Sequence, residues 1–330
     1  MKKTWIYLAS IILIILIPLL SVIAYAYTIK DVYEISYARV LQVQYNYLKE
    51  TKGESRIIIV GTSSSAFGFD VDAVAAIEKE FNKKVVIFGN YGAMGNTCFL
   101  KWVKDQVHEG DIVVYMYDIY KAALDVAFGG ETTLQGIYKN LEMFNSLNDE
   151  QRMQVVAALP KYIRECIEYK VKESGFPEWF RRSAFDDRGI MTYYREENIM
   201  DEKYEPDGII EVYADEISED FTSYIKQWGE DLKAKGATAY FRYGPANELA
   251  RSYYLNDIVM AEFDEAWSKA IGIKCVNSFK DTFMKWEYFF DGNHHLNSYG
   301  SQYLASSFIY DLEVAIYGYS EYQRVYPLGT

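Results

Sequence analysis

Two short stretches hold residue types able to do covalent chemistry. The first is Gly61-Thr62-Ser63-Ser64-Ser65-Ala66-Phe67-Gly68, directly after the apolar run Ile57-Ile58-Ile59-Val60. A serine two residues beyond a glycine, at the end of a buried strand, is well placed to be a nucleophile once a base removes its proton. The second is Asp291-Gly292-Asn293-His294-His295-Leu296-Asn297, which holds two of the chain's three histidines. A carboxylate three or four residues before an imidazole can bind one ring nitrogen, fix the tautomer, and leave the other nitrogen to accept a hydroxyl proton. Both His294 and His295 satisfy that spacing to Asp291. The third histidine, His108, precedes Glu109-Gly110 at the end of an amphipathic stretch and is expected to be a helix-end surface residue. No grouping of His, Cys and carboxylates has metal-ligand spacing, so neither metal nor cofactor is expected. Cys98, Cys166 and Cys275 are widely spaced and read as small apolar core residues.

The elements that position these stretches follow from apolar patterning. Ile57–Val60, Val85–Phe88, Ile112–Tyr115 and Thr238–Phe241 are short runs bounded by glycine or polar residues. They suit parallel strands covered on both faces. Between them lie amphipathic stretches, one carrying Val74, Ile77 and Phe81, another Phe99, Trp102, Val103 and Val107. A last helix starts near Asn297, carries Leu304, Phe308, Ile309 and Leu312, and stops at Gly318; Asn96 and Asn297 are the expected N-caps. The alternation predicts a three-layer α/β/α domain with a mostly parallel, flavodoxin-like sheet over residues 56–330. A largely helical insertion interrupts it at about 119–218, with a helix expected over 150–172.

From Thr4 to Ile29 the chain carries no charge, long enough to cross a hydrocarbon core of ~30 Å as a helix. Met1-Lys2-Lys3 sets the positive end on the cytoplasmic side. Residues 1–29 are therefore expected to be a retained anchor, single-pass in the cell membrane, with cleavage after Ala24-Tyr25-Ala26 the alternative. Residues 30–55 read as a helical stalk leading to an extracytoplasmic domain. The 330-residue chain has a net charge of −13, or −15 once Lys2 and Lys3 are set aside, which argues against binding a phosphate backbone. Nucleic acid is excluded as a partner.

Taken together, these segments resemble the SGNH/GDSL hydrolase superfamily, in particular its membrane-anchored bacterial branch. The likeness spans roughly residues 56–317 outside the insertion. It aligns the nucleophile with Ser63, a second glycine-containing block with Gly89-Asn90-Tyr91-Gly92-Ala93-Met94-Gly95-Asn96, and the closing Asp–His block with Asp291 and a histidine. The His-Leu-Asn-x-x-Gly form at His295-Leu296-Asn297 and Gly300 favours His295, whereas the superfamily's common three-residue spacing would select His294. The third block, Gly-x-Asn-Asp, is missing; Asp118-Ile119-Tyr120 stands there. The resemblance implies a serine esterase or O-acyltransferase acting on acylated polysaccharide or another envelope glycopolymer, beside a multi-spanning membrane acyltransferase. The oxyanion would be held by the amides of Ser63 and Gly95 (or Gly92), with Asn96 or Asn90 substituting for the absent side-chain donor. A non-enzymatic reading keeps the same domain as a binder of glycopolymer or of a membrane partner.

Overall fold

The computed structural model describes residues 2–322 apart from 122–123, 173–174, 201–203, 205 and 207, and gives no side chains for residues 2, 3, 26, 27 and 169–172. The basic terminus Met1-Lys2-Lys3, and Ala26 of the alternative cleavage site, thus lie outside the described residues or side chains.

Five strands form the central sheet. β1 (Arg56–Gly61) pairs in parallel with β2 (Lys84–Gly89) and β3 (Ile112–Tyr117). β3 pairs with β4 (Thr238–Tyr243), and β4 with a two-residue edge strand that follows it by some thirty residues. A separate pair joins β5 (Ala246–Asn247) to β7 (Phe283–Met284), and the edge strand between them in sequence is β6 (Lys274–Cys275). The main sheet runs β2-β1-β3-β4-β6.

Alternating side chains feed two separate cores. Ile57, Ile59, Val85, Ile87, Val114 and Met116 pack beneath helices α4 (Val71–Phe81) and α11 (Ser298–Tyr317). Ile58, Val60, Val86, Phe88, Val113 and Tyr115 pack under α2 (Val40–Glu50), α5 (Thr97–Gln106), α9 (Glu219–Ala234) and α10 (Asp257–Ile271). This is the expected three-layer α/β domain, and every residue in both sets is essentially sealed from solvent. The four strands expected from apolar runs are present, each longer by two residues; β6 was too short to leave a pattern.

Asn297 caps α11 by accepting the Gly300 amide at 2.9 Å, and Gly318 ends it in the left-handed conformation. The other expected cap is corrected: Asn96 precedes α5, but its side chain makes no cap bond. Residues 30–55 also depart from the expected stalk. They are helical over 40–50, but Tyr37, Leu41, Gln44 and Leu48 are buried, so α2 is built into the domain. The insertion holds α6 (Gly130–Ile137), α7 (Leu141–Ser146), α8 (Asp149–Lys172) and a series of short turns. N-terminal to all this, α1 (Lys2–Thr28) includes Thr4–Tyr25, the one helix among the described residues long and apolar enough to cross a membrane; a signal sequence has the same properties.

At the amino end of the sheet, Arg56 and Asp111 form a fully buried bidentate pair, Nε–Oδ1 3.0 Å and Nη2–Oδ2 2.6 Å. The same guanidinium donates to the carbonyls of Leu48 (2.6 Å) and Gln106 (3.1 Å). Asp111→Ala strands a buried cation and is expected to cost about 3–5 kcal/mol in urea unfolding. Replacing the pair together, Arg56→Met with Asp111→Leu, is expected to recover only part of that, because two buried carbonyls still lose their donor.

Candidate active site

In an open parallel sheet the ligand crevice lies beyond the carboxyl ends of the strands, where the strand order reverses. Here that point falls between β1 and β3. Ser63 follows β1 and Asp118 follows β3, so both stand at the switch point.

Two glycines let the chain turn there. A Cβ on Gly61 would sit 2.0 Å from the Met116 carbonyl oxygen, and one on Gly89 2.4 Å from the Thr62 carbonyl oxygen. The β1 end therefore packs directly on both neighbouring strands. Thr62 is extended, and the short helix α3 (Ser63–Gly68) starts immediately after it. Among the three consecutive serines, Ser64 and Ser65 are buried while Ser63 is partly open. The Ser64 hydroxyl is shared with that of Thr62 at 3.2 Å, and Ser65 Oγ reaches the Met116 carbonyl at 3.5 Å. Ser63 is the reachable hydroxyl, and no hydrogen bond joins it to either imidazole among the described residues. As the first residue of α3 it also offers an amide with no intrahelical acceptor.

The Asp–His segment is closed by bonds from Phe290 N to His295 O (2.8 Å) and from Asn297 N to Tyr288 O (2.9 Å). Within it, His295 Nδ1 lies 2.8 Å from Asp291 Oδ1. An ionised carboxylate only accepts, so this contact puts the proton on Nδ1 and leaves Nε2 with a free lone pair. The other Asp291 oxygen accepts from Trp179 Nε1 at 2.9 Å. The His295 ring stacks on Phe67 at 4.3 Å and 16°, and meets Phe180 edge-on at 6.0 Å. Phe67 lies one turn beyond Ser63 on the same side of α3, so this stack sets the imidazole against the helix that Ser63 opens.

Arg195 holds the arrangement from behind. It is fully buried and donates to the carbonyls of Phe67 (2.6 Å) and Leu296, and to Ser301 Oγ (3.2 Å). It thereby ties the end of α3 to the start of α11. Burial lowers its guanidinium to about 10, a shift opposed by the carboxylates of Asp70 and Asp291. Tyr91 is pushed up to about 12, first by burial and then by the Asp291 carboxylate.

His294 has a different setting. Its Nδ1 is 3.0 Å from the Pro245 carbonyl oxygen and 3.8 Å from Asp118 Oδ1, the latter beyond hydrogen-bond reach. Asp118 accepts the Thr62 hydroxyl through Oδ2, while its buried Oδ1 has no hydrogen-bond partner among the described residues. The structure thus brings Asp291 to His295 and not to His294.

Three expected oxyanion donors are corrected. Gly95 adopts φ +88° with its amide already donating to Gly92 O at 2.9 Å, and a Cβ there would meet Ala127 O at 2.1 Å. Asn96 spends its amide group on Asp125 O (2.9 Å) and Tyr117 Oη (3.3 Å) and accepts from Ala127 N (3.2 Å). Asn90 donates to Tyr37 O (3.1 Å) and accepts from Tyr91 N (3.0 Å). All three tie loops together. Gly92 remains: its Cβ position lies 3.7 Å from the Thr62 side chain, and its amide is without an acceptor among the described residues.

Sequence reasoning missed Trp179, Phe180 and Arg195. They come from the insertion, and their only sequence signal was an aromatic, charged composition over 176–213. A scan against protein-family models and a search of curated proteins both find no match to this chain.

The His295–Asp291 contact predicts a downfield Nδ1 proton in the ¹H NMR spectrum that Asp291→Ala abolishes and His294→Ala leaves in place. Trp179→Phe strips one donor from the carboxylate and is expected to cost about 1–3 kcal/mol in chemical denaturation.

Proposed function

We propose that this chain is a membrane-anchored serine esterase or O-acyltransferase of SGNH type, acting outside the cytoplasm on acyl esters of envelope glycopolymers. The observation that carries the reading is the Asp291–His295 pair, its imidazole stacked on the α3 helix whose first residue is Ser63. The membrane placement draws on the apolar Thr4–Tyr25 segment, with the Lys2-Lys3 end inside.

In this mechanism Ser63 Oγ attacks the ester carbonyl carbon as His295 Nε2 takes its proton, and Asp291 stabilises the imidazolium. The amides of Ser63 and Gly92 face the developing oxyanion. Collapse breaks the ester C–O bond, and His295 returns the proton to the leaving alcohol. Water or a sugar hydroxyl, deprotonated by His295, then releases the acyl group from Ser63. Lacking a side-chain oxyanion donor is worth ~10²–10³ in rate, so turnover is expected to be modest.

A second reading, a domain that binds glycopolymer or a membrane acyltransferase without catalysing, draws on that same lack. Asp118 stands where a donor is expected, and Asn90 and Asn96 are otherwise engaged.

Fluorophosphonate labelling of the full chain in detergent, read by intact mass, separates the two. Esterase chemistry predicts one adduct, lost in Ser63→Ala and slowed about 10⁴-fold in Asp291→Ala. His295→Ala is expected to slow it comparably, and His294→Ala by less than about tenfold. A folded wild type that takes no label favours the binding reading.

A further inference from the structure

Helix α8 carries apolar residues on two faces. Val155, Tyr162, Ile163 and Cys166 are buried in the domain, as a helix packed on a core requires. A second stripe, Met153, Val156, Ala157, Pro160 and Ile167, recurs at helical spacing and faces solvent, with Met153 67% and Val156 43% exposed. Arg164 and Lys161, both exposed, lie within and beside that stripe. A neighbouring residue of the same character is Leu141 at the start of α7, 60% exposed.

Two of these residues, Leu141 and Val156, line a groove of about 260 Å³ between α6, α7 and α8, its walls formed mainly by Leu134, Ile137, Phe144 and Leu159. The groove also reaches α1, because Ile23 is part of its lining. Ile23 lies two residues inside the outer end of the Thr4–Tyr25 segment, about 3 Å along a helix axis. With Thr4–Tyr25 as a membrane span, Ile23 brings the groove to the boundary of the hydrocarbon layer. The polar residues of the lining are Tyr138, Lys139 and Asn140: Lys139 lies over the Tyr138 ring, and Asn140 caps α7. A ligand that needs buried hydrogen bonds finds few here; an alkyl chain needs none.

We propose that the α7–α8 face rests in the outer membrane–water interface and that the groove takes an acyl chain of a phospholipid from the membrane holding α1. The inference rests on α1 being a retained anchor and is independent of any chemistry at Ser63. Continuity with the anchor is what selects lipid as the occupant: where the groove opens, lipid chains are the solvent, and a soluble ligand competes against them at a large concentration disadvantage. An exposed apolar stripe that carries Arg164, with Lys161 beside it paired to Glu131, is the pattern of an interfacial helix.

The test uses the full chain reconstituted in phosphatidylcholine–phosphatidylglycerol vesicles doped with a phosphatidylcholine bearing a diazirine along one acyl chain. After photolysis, adducts are mapped by peptide mass spectrometry. The expected result is adducts within 134–159 as well as within 4–25. In Leu141→Asp with Val156→Asp, two exposed positions where a carboxylate is expected to leave folding intact, as circular dichroism will check, the 134–159 adducts are expected to fall at least fivefold while those in 4–25 persist. Adducts confined to 4–25 in the wild type would leave the anchor standing and overturn the lipid groove, pointing instead to a membrane protein as what covers this face. Failure of the chain to float with the vesicles would overturn the anchor and this inference together.

Discussion

The buried Arg56–Asp111 pair is the constraint from which the site geometry follows. It joins the first residue of β1 to the residue before β3 at the amino end of the sheet, and reaches the ends of α2 and α5 through the Leu48 and Gln106 carbonyls. Two parallel strands pinned at their bases run in fixed register, Ile57 opposite Ile112 through Gly61 opposite Met116. Their carboxyl ends are then fixed relative to each other, and those ends carry Ser63 and Asp118. A buried ion pair is weak evidence for net stability, but it tolerates few alternative registers, since a slip would leave a guanidinium in the core without its carboxylate.

At the carboxyl end the tie is made again with softer groups. Thr62 donates to Asp118 across the switch point, and Gly61 and Gly89 allow the turn to settle on its neighbours. Asp118 illustrates how the same position can serve either chemistry or architecture. As a carboxylate it accepts the Thr62 hydroxyl and lies near His294, which locks the loops after β1 and β3 together. An amide donor there would serve an oxyanion better but would hold Thr62 by a weaker, neutral bond.

The sheet was legible in the chain because four of its strands are continuous apolar runs ending at glycine or at a charged turn, and the periodicity of α4, α5 and α11 was equally plain. Ser63, Asp291 and the histidines were visible because local spacing alone links a carboxylate to an imidazole. What stayed hidden depends on long-range contact. Asn96 reads as an N-cap by its position before α5, yet a loop thirty residues later claims its side chain. Residues 30–55 read as a stalk because amphipathic spacing does not tell which partner covers the apolar face; β2 and α6 do. Trp179 and Arg195 follow no motif, since each acts at a site more than a hundred residues away in sequence.

The insertion is therefore part of the site and not a decoration on it. Trp179 fills the second oxygen of Asp291, Phe180 closes the edge of His295, and Arg195 links the helix bearing Phe67 to the one that follows His295. Phe67 is the shared element: its carbonyl holds Arg195, whose guanidinium lies 5.7 Å from the centre of the Phe67 ring, and that ring carries the imidazole. Aromatic walls around a histidine exclude water from one side while the Asp291 bond fixes its orientation. In the proposed mechanism this bears on the fate of an acyl-serine. A base shielded on the Phe67 and Phe180 sides can activate only what arrives from the open side, so the shape of that opening, set by the insertion, decides between water and a sugar hydroxyl as acceptor.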